Sequence, residues 1–535
     1  MAGKVGQFNP NANGNGTPGE EREDSSASGW RAEELRNQAP KFSLAATAAD
    51  RSVADGAGGQ TEPGNFSGRI SAAGKIGRTM SKAQISGPAA VRRGDAARQP
   101  GAAASAAAES VRRAFGHPPA VLKFWRDLVR PQLARQPTPF YLFSVTPMAA
   151  ALAELDAHFG HLPVRHWLSC KTQPLRPLLQ WWRKSGRGIE VVSEFELLAA
   201  LNEGFPPERI LVNGPAKHHW LPRHAARGLG VNFDSVHEAA ALAPLARQLD
   251  WTAGLRLHTP QEVDPESPGH PTQFGMAEEE ARLTVHRLRG AGVRLETVHF
   301  HLRTNVGSAA IYARALAEAA EICRAAGFAP RFVDCGGGFP PPHVLSPAGR
   351  RVDAAFDLGE MARVYERAWR LFPGVREIWL ENGRWLTARS GVLVVQILDV
   401  KERRGMRHFI CDGGRTTNAL VANWERHALI PLVPRGGART LTTVSGPTCM
   451  AFDQLARCLL PRTIRPGDHL LWLDAGAYHL PWETRFSHGL AAVLWHDGEK
   501  VRVAREREEF SAWWGCWRVP HVATVTLAQL RKLAR

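Results

Sequence analysis

The chain is most readily bounded by what it lacks. Its seven cysteines are dispersed over 535 residues, odd in number and without a Cys-x-x-Cys pair, which excludes a disulfide framework and fits a reducing compartment. No run approaches the roughly eighteen apolar residues of a membrane span, and the N-terminus has no apolar core of the signal-peptide type. These absences read as a soluble cytoplasmic protein. Long basic runs are also missing. The formal charge is +16, but it comes mostly from arginines scattered among acids, with no RNA-binding signature. A solvated surface therefore explains the charge better than nucleic-acid contact.

Large apolar residues are scarce up to about Arg113. Stretches such as Asn11-Ala12-Asn13-Gly14-Asn15-Gly16 cannot bury enough surface to offset the cost of ordering the chain. Residues 1–115 are therefore expected to be a disordered, low-complexity segment, with a fraying helix in Ala102 to Ala114. Order is expected from Pro118. Residues 116–143 read as a lead-in helix and a strand that joins a later β domain.

A rhythm follows. Apolar, β-branched runs sit at 164–168, 189–192, 210–212, 230–233, 254–257, 297–300, 332–334 and 378–380. Helix-patterned stretches such as Glu194 to Leu201 and Ala315 to Ile322 lie between them. About eight strand–helix repeats in about 230 residues predict a (β/α)8 TIM-like barrel over 144–385. After Arg384 the strands are separated by turns, which predicts a mostly antiparallel C-terminal β domain over 386–517. A tail with a short basic helix is expected over 518–535.

In such a barrel, chemistry belongs at the C-terminal strand ends. Lys171, Ser193, Asn213, Asp234, Arg256, His301, the loop Gly336-Gly337-Gly338 and Glu381 fall there. A lysine against apolar walls is desolvated, which lowers its pKa and suits it to form a Schiff base. The glycine loop can close its N–H groups around a phosphate. Glu381 facing a pyridine nitrogen would keep it protonated, and Arg384 offers fixed donors nearby. His301 can stack on a flat ring. Cys449, on the turn Ser445-Gly446-Pro447-Thr448-Cys449, can serve as a proton donor or a nucleophile. Tyr478 can reach a phosphate. Each feature alone also has a plainer reading: a surface lysine, an ordinary turn, an exposed ion pair, a core histidine, an inert thiol, a structural phenol. A metal centre is not expected, because His, Asp and Glu are scattered over the strand ends.

Taken in order, these motifs resemble the alanine-racemase-fold (fold type III) pyridoxal-phosphate decarboxylases, the family of ornithine, diaminopimelate and arginine decarboxylases, from about Pro139 to Gly489. The resemblance implies pyridoxal 5'-phosphate on Lys171, with His301 stacked on its ring. Thr304, Gly336, Gly337, Gly338, Arg384 and Tyr478 would serve the phosphate, and Glu381 the ring nitrogen. It implies Cys449 as a catalytic proton donor, Asp412 and Met450 at the substrate's distal end, and a homodimer with shared active sites. Three departures stand out: Lys171-Thr172-Gln173 where the family has Lys-Ala-Asn, Arg303 in place of a glycine, and Met450 in place of an acid. The implied activity is decarboxylation of an amino acid, a diamino acid or a related specialised intermediate. A racemase of the same fold, or a regulator that has lost turnover, is the alternative. Family racemases place arginine where Glu381 stands.

Overall fold

A computed structural model describes residues 115–263 and 270–517. The expected N-terminal disorder, the fraying helix and the C-terminal basic helix lie outside these residues. Eight parallel strands close a barrel: β2 (Val164–Ser169), β3 (Gly188–Val191), β4 (Ile210–Val212), β5 (Gly230–Phe233), β6 (Thr252–Arg256), β7 (Leu295–His299), β8 (Phe332–Asp334) and β9 (Glu377–Asn382), with β9 pairing back onto β2. Helices follow most strands. Between β4 and β5 two short 3₁₀ turns, Lys217–His219 and Leu221–Arg223, replace a helix. The helix Val145–Phe159 precedes β2 and packs on the helix Leu358–Leu371.

The two-residue period of a strand sorts the barrel into layers. One set of alternate residues, including Leu168, Ile189, Val231, Leu255, Val298 and Leu380, faces the helices and belongs to the main core. The other set faces the barrel axis. Low in the barrel these are Trp167, Leu211, Phe332 and Trp379, a separate apolar cluster. Gly188 makes room for it, since a Cβ there would lie 2.2 Å from the Trp167 ring. Two residues further along each strand, the same face carries Ser169, Glu190, Asn213, Asp334 and Glu381. The strands are thus apolar on one face and turn polar toward the mouth on the other.

A nine-stranded sheet adjoins the barrel. It comprises β1 (Phe140–Ser144), β10 (Gly391–Arg403), β11 (Met406–Cys411), β12 (Leu429–Pro431), β13 (Arg439–Ser445), β14 (Gln454–Pro461), β15 (His469–Trp472), β16 (Ala492–His496) and β17 (Val501–Arg505). Most pairs are antiparallel; β1–β16 and β11–β13 are parallel. β1 pairs with β10 as well, so the segment ahead of the barrel supplies a strand to the later sheet. The helix Pro119–Val129 covers part of the sheet through Trp125 and Val129.

Candidate active site

The polar layer at the barrel mouth is one hydrogen-bonded ring. Lys171 follows β2 on a 3₁₀ turn and its Nζ donates to both oxygens of Glu190, at 2.9 and 2.7 Å. Ser169 Oγ donates to the same carboxylate. Asn213 Nδ2 donates to Glu381 and lies 3.4 Å from Glu190 Oε1. Asn232 Nδ2 donates to Asn213 Oδ1 at 2.9 Å and to Asp334 Oδ2 at 3.1 Å. Every member except Lys171 is almost fully buried, so each polar group needs the partner it has.

Charge in this ring is set by neighbours rather than by burial alone. Burial pushes the Lys171 pKa down, but the carboxylates of Glu190 and Glu381, with Tyr478, outweigh it and the net shift is upward. The desolvated, easily deprotonated lysine expected from sequence is therefore corrected: without its ligand the site holds an ammonium. Burial would raise the Glu381 pKa, yet His299, His301 and Lys171 hold it below the usual carboxylate range. His299 Nε2 lies 3.4 Å and His301 Nδ1 3.6 Å from its oxygens. Burial lowers the His299 pKa to about 3, opposed by the Glu381 charge. Burial and the Glu381 charge raise the Asp334 pKa well above normal, so Asp334 keeps its proton.

The glycine loop follows β8. Gly336 and Gly338 have φ of 63° and 108°, a region that only glycine enters freely. A Cβ on Gly337 would lie 2.6 Å from the Glu381 carbonyl oxygen. Each of the three glycines packs so closely on neighbouring backbone that a Cβ would clash with it. Gly337 N–H donates to His301 Nδ1 at 3.2 Å, joining the loop to the histidine. Tyr478 enters from the other domain. Its N–H donates to Thr172 O at 2.7 Å, the Arg384 guanidinium lies 4.6 Å over its ring, and its φ of 65° is unusual for a bulky residue.

Lys171, His301, the three glycines, Glu381, Arg384 and Tyr478 thus meet at one mouth, while Thr304 lies exposed on the loop after β7. An ammonium, a carboxylate held anionic, a flat imidazole and a close-packed glycine turn are a set that fits pyridoxal phosphate: an amine for its aldehyde, an anion for its ring nitrogen and a side-chain-free turn for its phosphate.

The family model for the pyridoxal-dependent decarboxylase, pyridoxal binding domain, matches residues 148–388. Diaminopimelate decarboxylase of Actinosynnema pretiosum subsp. auranticum is 32% identical over 362 residues, covering 63% of this chain and 80% of the relative. The chain belongs to the pyridoxal-dependent decarboxylases. The L-glutamyl-[BtrI acyl-carrier protein] decarboxylase of Niallia circulans is 27% identical over 376 residues, covering 64% of this chain and 84% of that protein. Diaminopimelate decarboxylase from Helicobacter pylori, solved in complex with L-lysine, shares the fold with a TM-score of 0.65 at 22% identity, covering 73% of this chain and 99% of that one. By family the protein is a pyridoxal-phosphate-dependent amino-acid decarboxylase. Among the described residues no helix is long and apolar enough to cross a membrane.

The remaining expected residues of the decarboxylase lie on its β domain. Cys449 is exposed on the turn between β13 and β14, and Met450 beside it is half-buried. Asp453 shapes this turn by accepting from Thr448 N, Thr448 Oγ1 and Thr416 N. Asp412 has both carboxylate oxygens in hydrogen bonds, from Thr138 Oγ1 at 2.5 Å and Gln396 N at 2.8 Å, so it braces the sheet. Among the strand-end residues, Ser193 caps the helix Glu194–Asn202. Arg256 pairs with Glu262 at 3.0 Å.

Sequence reasoning missed Glu190, Asn232, His299 and Asp334. Their signal was a polar residue inside an apolar run, two or three places before the residue chosen at the strand end. It also missed Glu425, a buried carboxylate that pairs with Arg384 and lies 3.3 Å from His427 Nε2. Nothing local in the sequence marks that pairing.

Proposed function

We propose that this decarboxylase removes the α-carboxylate of a specialised amino acid, with Lys171 as the attachment point of its cofactor and Cys449 as the proton donor. The reading is carried chiefly by Lys171 Nζ, held by Glu190 at the barrel mouth in a ring that also contains Glu381. When bound, the cofactor supplies an electron sink for the pair left as CO₂ departs. The protein's own part is binding and proton control. Glu190, within hydrogen-bond reach of Lys171 Nζ, takes the ammonium proton so that the amine can react. Glu381, kept anionic by two imidazoles and a lysine, holds a proton on the ring nitrogen. His301 covers the ring. The glycine turn Gly336–Gly338, through the Gly338 N–H, takes the phosphate with Thr304, Arg384 and Tyr478.

Cys449 delivers a proton to the carbon that lost its carboxylate. Within one chain no hydrogen bond or ion pair among the described residues joins Cys449 to the Lys171 ring, and its thiol is exposed. Both facts support a two-fold homodimer in which each cysteine loop completes the partner's mouth. Met450, where the family carries an acid, supports a substrate other than an ω-amino acid with a bare ammonium.

The test is borohydride reduction of cofactor-saturated protein, followed by peptide mapping and CO₂ measurement over an amino-acid panel. Label on Lys171, CO₂ from at least one panel member and loss of both in Lys171→Ala are expected. Unlabelled Lys171 overturns the proposal.

A further inference from the structure

The two loops beside the proposed proton donor carry an unusual balance of charge. Cys449 and Met450 lie on the turn between β13 and β14, and the loop after β11 packs directly against it. A Cβ on Gly414 would come 2.6 Å from Gly446 Cα, and Thr416 N–H donates to Asp453, which also holds Thr448. The same loop leads back to the barrel mouth. Thr484 donates to Thr416 and Thr417, and the nearby Trp482 stacks on Tyr478 at 5.3 Å.

Each acid of this region is already committed. Asp453 holds three donors and Asp412 two. Glu483 pairs with Arg505 and accepts from Ala491 N–H. Met450 is neutral. Among the described residues here, a substrate ammonium would find no carboxylate free of a partner.

Arg415 is the opposite case. Its guanidinium lies 5.3 Å over the Phe452 ring. Its Nε is buried without a hydrogen-bond partner, and among the described residues no carboxylate pairs with it. Burial lowers its pKa, opposed by the Asp453 charge. A guanidinium over an aromatic ring, with its buried Nε–H unspent, is preorganised for a carboxylate.

We infer that Arg415 reads the far end of the substrate, and that the decarboxylase acts on amino acids whose side chain ends in a carboxylate or similar oxyanion rather than an ammonium. This inference rests on the decarboxylation proposed above and names the substrate class of that site. Specificity follows from both halves of the arrangement: a donor set for the anion, and no partner for a cation.

The test is a kinetic comparison of L-glutamate and L-2-aminoadipate with L-ornithine and L-lysine, for wild type, Arg415→Ala, Arg415→Gln and Arg415→Lys. Wild type is expected to favour the acidic pair. Arg415→Ala and Arg415→Gln are expected to raise KM for the acidic pair by about 10- to 100-fold, the range for losing a charged hydrogen bond. Unchanged kcat, unchanged KM for the basic pair and partial recovery in Arg415→Lys complete the expected pattern. A preference for the basic pair, or equal losses on all four substrates, overturns the inference.

A second measurement separates this idea from the activity itself. Glutarate should raise the unfolding temperature of cofactor-loaded wild type more than cadaverine does, and Arg415→Ala should abolish the difference. If no panel member releases CO₂ while that difference stands, the decarboxylation reading fails and the charge reading survives. Equal protection by the two ligands sinks the charge reading whatever the turnover.

Discussion

Replacing Gly337 with alanine tests whether the glycine loop is a phosphate cradle or an ordinary turn. The new Cβ would sit 2.6 Å from the Glu381 carbonyl oxygen and 3.5 Å from His301 Cε1. The first distance is about 0.8 Å short of ordinary van der Waals contact. The blocking atom is backbone, near the end of β9, whose amide is tied to Gly336 O at 2.9 Å. It cannot swing away as a side chain would. Either the loop lifts or the end of β9 moves, and each displaces groups proposed to hold the cofactor. Overpacking of this kind costs about 1–3 kcal/mol of stability. If the loop binds phosphate, cofactor affinity should also fall by about 10- to 100-fold, a comparable free energy. Gly290 is the matched control: a Cβ there meets nothing within 4 Å, and Gly290→Ala should be neutral or up to about 1 kcal/mol more stable. Denaturant unfolding of the cofactor-free proteins gives the first quantity and absorbance titration the second. Wild-type cofactor affinity in Gly337→Ala would refute the cradle.

Glu425→Ala leaves buried Arg384 without its partner and should cost about 3–5 kcal/mol in urea unfolding; a loss below about 1 kcal/mol would show the pair is not held in solution. Glu190→Gln removes the largest influence raising the Lys171 pKa, so the pH profile for cofactor capture by the empty enzyme should move to lower pH when followed by absorbance; a move to higher pH contradicts the assignment. Glu196 is raised from 4.5 to about 7 by burial, with the Glu190 charge adding to it. The folded state therefore keeps a proton that the unfolded chain releases, and stability falls as pH rises from about 4.5 to 7 by at most about 3 kcal/mol, then levels off. Glu196→Gln should flatten that slope in denaturant midpoints taken across the range. Asp334→Asn mimics an acid that already holds its proton and should leave cofactor affinity within about threefold, whereas Glu381→Gln should weaken it by about tenfold or more.

The barrel was legible because each of its strands is short, β-branched and bounded by turn or helix signals, and all eight expected runs form strands. The β domain was half legible. Strands such as Leu470 to Leu473 announce themselves by unbroken apolarity. β13 and β14 mix arginine and threonine with apolar residues because one face of each meets solvent, and they were missed. At the site, residues at strand ends could be picked out by position. Glu190, Asn232, His299 and Asp334 could not, since a single polar residue within an apolar run looks like an interruption until the strand's inward face is known. The direction of the Lys171 shift was out of reach for a related reason. Desolvation can be read from neighbours in sequence, but the opposing carboxylates come from β3 and β9, 19 residues on in the case of Glu190 and far later for Glu381.

That distribution of carboxylates explains how one mouth keeps two acids in opposite states. Glu381 and Asp334 are both fully buried, and burial alone would neutralise both. Glu381 escapes because His299, His301 and Lys171 surround it, while Asp334 has the Asn232 amide, the Gly336 N–H and the Glu381 carboxylate, the last of which favours its protonated form. Ionising Glu381 then makes ionising Asp334 harder still. The ring thus fixes one anion, at the residue proposed to face the cofactor's ring nitrogen, and a neutral acid beside it. The glycine loop begins two residues after Asp334, and its Gly336 N–H, bonded to Asp334 Oδ1 at 3.0 Å, ties the proposed phosphate site to the same charge balance.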